Sequence, residues 1–113
     1  MTCKYITSLG SDLKLSVADS FLTRAAGLLF SPSPESGRGL LITHCASVHM
    51  FFMRYAIDVV FIDAAGRILK LCPALKPWSM AACRQARHVI ELRDGDIQKF
   101  GLQQGQVIAL EWN

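Results

Sequence analysis

The chain has 113 residues, 51% of them hydrophobic and 19% charged, with a formal net charge of +3. This size and composition fit one domain, residues 1–113, with a real core, and exclude an intrinsically disordered chain. No apolar run reaches the roughly 18 residues that a membrane-spanning helix needs, and MTCKYITSLGSDLKL lacks the continuous apolar stretch of an export signal. The expectation is therefore a cytoplasmic monomer with no membrane partner. Its scattered thiols, Cys3, Cys45, Cys72 and Cys83, form no C-x-x-C pair and read as reduced.

The first elements read as a hairpin, Cys3 to Leu9 and Asp12 to Val17, turned at Gly10-Ser11. Leu13, Leu15 and Val17 alternate with Lys14 and Ser16, which predicts one buried and one wet face. Asp19 or Ser20 offers an N-cap for a short helix from Phe21 to Leu29, with Phe21, Ala25, Leu28 and Leu29 on one stripe. The proline- and glycine-rich run Ser31 to Gly39 is a loop, and Gly39 to Thr43 a short strand. Phe51 to Asp63 reads as one long strand, or as two with a bend. Ala64-Ala65-Gly66 turns it into Arg67 to Cys72, and Pro73 to Pro77 breaks the pattern before Trp78.

Arg87 to Arg93 alternates again, with His88, Ile90 and Leu92 on one face and Arg87, Val89, Glu91 and Arg93 on the other. Asp94 to Phe100 predicts a helical turn or two, ended by Gly101, and Val107 to Trp112 a last strand. Six to eight short strands and one or two short helices, joined largely by tight turns, give the fold class: α+β and β-rich, a small antiparallel β-sandwich or partly closed barrel.

Chemistry concentrates between His44 and Asp63, HCASVHMFFMRYAIDVVFID, where an apolar strand region holds two histidines, a cysteine, an arginine and an aspartate. In one continuous strand Arg54 and Asp58 would point to the same face about 13 Å apart, so they meet only if the chain bends near Tyr55-Ala56. They read either as a guanidinium and a carboxylate lining a pocket, or as buried charges satisfied by backbone.

His44, Cys45 and His49, with Cys72 or Cys83, sketch a zinc set. There is only one close cluster, and adjacent strand residues point apart, so no metal is expected. Cys45 with His49 lacks any recognised nucleophile context. His88, on an apolar face, reads as a hydrogen-bonded core histidine. Met50, Phe51, Phe52, Met53 and Tyr55 fit a core or an apolar cleft equally well, and Trp78, behind Pro77, is the aromatic expected at the surface.

Arg67, Lys70, Lys76, Arg84, Arg87 and Arg93 face a single acid, Glu91, over residues 66–93. This reads foremost as a solvated polar face, and otherwise as a surface for an anionic ligand; a nucleic acid is not expected, since there is no dense basic run or nucleic-acid signature.

Four stretches together resemble the domain-of-unknown-function 192 family of small bacterial and archaeal proteins: VADSFLTRAAGLLF, HCASVHMFFMRYAIDVVFIDAAGRIL, LKPW and ARHVIELRDGDIQKFGLQQGQVIAL. The family's Arg-x-x-Gly-Leu falls on Arg24, Gly27 and Leu28, and its Met-basic pair on Met53 and Arg54. Asp58 matches its strand-opening Asp, Ile90-Glu91-Leu92 with Gly95 its Leu-Glu-Leu strand, and His49 the His of similar members. Ala56 stands where the family often has proline, and Arg93-Asp94-Gly95 where it often has Pro-Ala-Gly, which concerns local turns only.

The resemblance implies a compact β-rich fold and no particular activity or cofactor. The ligand-binding candidates are Arg24, His49, Met53, Arg54, Asp58 and Trp78. The expected function is a binding module for a small anionic ligand or a partner segment. The alternatives are an enzyme with His49–Asp58 acid–base chemistry, or an interaction protein whose polar residues are structural.

Overall fold

A computed structural model describes residues 2–6, 12–18, 36–50 and 53–112. Among the described residues nine strands run in chain order: β1 Thr2–Ile6, β2 Asp12–Ala18, β3 Arg38–Thr43, β4 Ser47–His49, β5 Ile57–Ile62, β6 Ile68–Leu75, β7 Met80–Ala82, β8 His88–Arg93 and β9 Leu110–Trp112. One described helix, α1, spans Asp96–Lys99. Seven strands form an open sheet in the order β6-β5-β8-β3-β2-β1-β9, and β4 pairs with β7 in a second, two-stranded sheet. The architecture is the sandwich-like α+β fold rather than the closed barrel.

Alternation sorts the core into two layers. Leu13, Leu15, Leu41, Val60, Ile62, Ile90 and Leu92 pack on one face with Ile97, Phe100, Leu102 and Ile108 of the α1 segment. Ile42, Val59, Phe61 and Val89 pack on the other face with Val48, Met50, Met53 and Ile57. β5 and β8 lie between other strands and are covered on both faces, so their residues read as nearly continuous burial.

Some expectations are corrected. β2 and β3 pair in parallel, Lys14 opposite Arg38 through Ala18 opposite Ile42, so the sheet is mixed rather than purely antiparallel. Residues 19–37 connect these strands. That is no tight turn but the length a parallel crossover requires. The helix expected at Phe21 to Leu29 lies outside the described residues. Ile6 stands opposite Asp12, which leaves residues 7–11 as the connection and rules out the register of a two-residue Gly10-Ser11 turn. The short strands β4 and β7 were not foreseen, because three residues carry too little alternation to register.

The segment Phe51 to Asp63 does bend. The chain bends at Arg54-Tyr55, and β5 starts only at Ile57. Pro73 does not end β6, which runs on to Leu75. β6 pairs with β5 alone, and its register slips by one residue between Val59–Cys72 and Ile57–Leu75. A bulge on an edge strand is where a proline fits.

Candidate functional site

Asp58 sits where that slip occurs. Ala74 has a left-handed backbone, φ 50, and its N–H donates 2.8 Å to Asp58 Oδ1. Asp58 Oδ2 accepts from Gly95 N at 3.1 Å and Ile97 N at 2.8 Å. Gly95, the N-cap of α1, has no side chain to offer its own helix, so a carboxylate from β5 does the capping. The carboxylate is 1% exposed. A neighbouring acid works the same way: Asp96 accepts from Ser36 Oγ and Gly37 N, both at 2.9 Å. The helix ends as expected, with Gly101 at φ 63 and Leu102 N donating 3.0 Å to Ile97 O.

Asp58 stands opposite Leu92, on the α1 side of the sheet. His49, Met53, Arg54 and Trp78 lie beyond the opposite face. Met50 O accepts from Met53 N at 3.2 Å and from Trp78 N at 2.7 Å, while Met50 N donates 2.7 Å to Ser79 O. His49 lies opposite Met80 in the β4–β7 pair. One carbonyl thus gathers His49, Met53, Arg54 and Trp78 into neighbouring turns. Met50 and Met53 are buried, His49 is half-buried, and Arg54 and Trp78 face solvent. His49 and Asp58 are on opposite sides of the sheet, so the acid–base pairing has no geometric support. Arg24 lies outside the described residues, as do Phe51 and Phe52.

Trp78 is 61% exposed, with φ 67, and Met80 is 68% exposed. Arg67, Lys70, Lys76, Arg84, Arg87 and Arg93 all face solvent, whereas the single acid among them, Glu91, is buried. The surface of residues 66–93 is therefore more basic than the sequence count suggests. Alternation puts Glu91 on the face it shares with Arg87, Val89 and Arg93. Its strand is covered on both sides, and it projects with Val89 into the methionine layer between Leu40 and Val59. There burial first, and the Glu91 charge second, push the Tyr55 hydroxyl pKa up. The signal for this burial in the sequence is Val89, the apolar residue on the same face.

His88 is the hydrogen-bonded histidine expected: its Nδ1 accepts from His44 N at 3.1 Å. Burial, then His44 and Arg87, lower its pKa. Burial raises the Cys72 thiol, with Lys70 opposing and Cys83 reinforcing that shift. Among the described residues no group of three or more His, Cys, Asp or Glu is placed to hold a metal ion, and no helix is long and apolar enough to cross a membrane.

The family model DUF192, described as an uncharacterised ACR family, matches residues 4–110. The chain belongs to the DUF192 family. Among its relatives is a UPF0127 protein of Pyrococcus furiosus, 34% identical over 92% of this chain and 92% of that one. The DUF192 fold is also seen in a crystal structure from Sinorhizobium meliloti, provisionally described as a transcription regulator. It is 24% identical, with a TM-score of 0.79 over 97% of this chain and 91% of that chain. A Novosphingobium aromaticivorans protein of unknown function, 18% identical, aligns with a TM-score of 0.79 over 99% of this chain and 84% of its own. At these identities the two structures speak for the DUF192 fold alone.

Proposed function

We propose that this DUF192 protein is a binding module that recognises an anionic ligand, a small molecule or an acidic partner segment, at the surface made by His49, Met53, Arg54 and Trp78. The observation that supports it is Trp78. A non-glycine residue in the left-handed region costs about 1 kcal/mol or more, and such strain concentrates at ligand-binding positions. A core tryptophan could offset that cost by burial, but this ring is 61% exposed. An exposed indole beside basic side chains suits a ligand with a planar or apolar part and an anionic group, which Arg54 and Lys76 would attract. In this reading Asp58 is a positioning residue, holding the start of β5 below the Arg54 turn. Arg24 remains in the proposed ligand set through its Arg-x-x-Gly-Leu motif.

The test is native mass spectrometry of protein purified without added ligand, joined to thermal-shift titrations with small carboxylates and phosphates. A retained molecule, or an anion that raises Tm in the wild type but not in folded Trp78→Ala, Arg54→Ala or Arg24→Ala proteins, supports the module. An absence of both, or equal responses in the variants, leaves the structural interaction protein as the better account.

A further inference from the structure

At the end of β4 away from Trp78, an open cleft of about 250 Å³ lies between residues 44–46 and 86–87, lined by His44, Cys45, Ala46, Ala86 and Arg87. Its walls are fixed by backbone bonds. Cys45 N donates 2.9 Å to Arg87 O, Arg87 N 2.8 Å to Ile62 O, and Cys83 N 2.9 Å to Ala46 O. The floor of one wall is strained, because His44 adopts φ 55, held there by its N–H on His88 Nδ1. The two imidazoles meet edge to face, with centroids 5.7 Å apart. Ala46 and Ala86 are short, which keeps the space open. His44 and Arg87 are exposed at its rim. Among the described residues no carboxylate lines the cleft.

A cleft with a guanidinium, an imidazole and no acid is built to attract negative charge. Arg supplies a fork of N–H donors matched to carboxylate and phosphate oxygens, and His adds a donor and, when protonated, a second cation. Burial first, and then the nearby His44 and Arg87, lower the pKa of the His88 ring behind them. At about 30 Å³ per water, the cleft has room for a small oxyanion and the first few atoms attached to it.

We propose that this cleft is a second binding site, taking a small oxyanion or the terminal phosphate or carboxylate of a larger molecule on Arg87 and His44. Cys45 lines the cleft and is half-buried, with its Sγ donating to Ser47 O at 2.9 Å, so an occupant is expected to shield it from a reagent. This makes Cys45 a reporter that does not depend on knowing the natural ligand.

The experiment measures the alkylation rate of Cys45 by iodoacetamide, read by peptide mass mapping, with Cys72 in the same sample as reference. Millimolar inorganic phosphate slows Cys45 several-fold and leaves Cys72 unchanged. Arg87→Gln, at an exposed position whose backbone bonds are kept, removes the protection, and Arg87→Lys restores part of it. Protection by a phosphomonoester at lower concentration than by inorganic phosphate assigns the site to the phosphate end of a larger molecule. Acetate acting at the lowest concentration assigns it to a carboxylate. The proposal is overturned if none of these anions slows Cys45, if chloride at matched ionic strength does so equally, or if Arg87→Gln protein is protected as well as wild type. Trp78 is no part of the cleft, so that result leaves the binding surface at Trp78 untouched.

Discussion

On one side of the seven-stranded sheet the Asp58 carboxylate is 1% exposed and collects three backbone N–H groups. Beyond the other side Trp78 is 61% exposed on a left-handed backbone. Both residues come from motifs of the family, and both stand next to an irregular piece of chain. They differ in where their interactions are spent. Every contact of Asp58 turns inward to satisfy a bulge and a helix start, so the energetic consequence of losing it is structural. The Trp78 backbone is fixed by Met50, while the residue as a whole is mostly exposed. Residues drawn from the family's motifs therefore divide into those turned into the fold and those with most of their surface facing solvent.

The largest effect should come from breaking the inward side. Asp58→Ala strands three N–H groups, and at about 1–3 kcal/mol for each unsatisfied buried donor, softened by entering water, stability should fall by roughly 3 kcal/mol or more. The midpoint of urea unfolding reads it. Asp58→Asn, which retains an acceptor oxygen, should lose less. If Asp58→Ala folds with wild-type stability, the division between the two sides fails.

Gly39→Ala comes next. The added Cβ would lie 2.5 Å from Glu91 O and 2.6 Å from Leu92 Cδ2, so strand β8 must shift. A loss of about 1–3 kcal/mol is expected in the same measurement, as for other overpacked sites.

Trp78→Gly sharpens the outward side. Glycine accepts positive φ, so stability should stay within about 1 kcal/mol of wild type or rise. A loss well beyond that would make Trp78 a structural residue after all.

The smallest effect is a pH dependence from His88. Its folded pKa lies below the ordinary 6.5, so below pH 6.5 the unfolded chain takes up a proton that the folded protein resists. Stability should therefore decline as pH falls from neutrality through that value, and His88→Asn should flatten the slope in chemical denaturation run at several pH values.

Much of this was legible in the chain. The alternation of Leu13 and Leu15 with Lys14 and Ser16 gave the buried face of β2, and Gly101 marked the end of α1. Strand spacing made a bend near Tyr55 the condition for Arg54 and Asp58 to meet; the chain bends there, yet the Asp58 carboxylate turns to Ala74, Gly95 and Ile97 instead. The rest depended on partners distant in sequence. The role of Asp58 is set by Ala74, Gly95 and Ile97, 16 to 39 residues away, and no local pattern names them. The burial of Glu91 could not be read from alternation, because β8 is covered on both faces along most of its length. The parallel pairing of β2 with β3 is a choice of neighbour, which periodicity within either strand does not encode. For the candidate site, the exposure of Trp78 was foreseen from Pro77, but its convergence on Met50 O depends on β4 and β7, strands too short to read.

The bulge at Ala74 has one more consequence, for how the molecule behaves in a crowded solution. β6 forms an outer border of the seven-stranded sheet, and a flat border offers a free row of donors and acceptors to any other chain. Here the row is interrupted: Pro73 has no N–H to give, the N–H of Ala74 is turned inward to Asp58, and Lys70 holds a charge beside it. The carboxylate that caps the helix thus also helps to blunt this border against edge-to-edge aggregation.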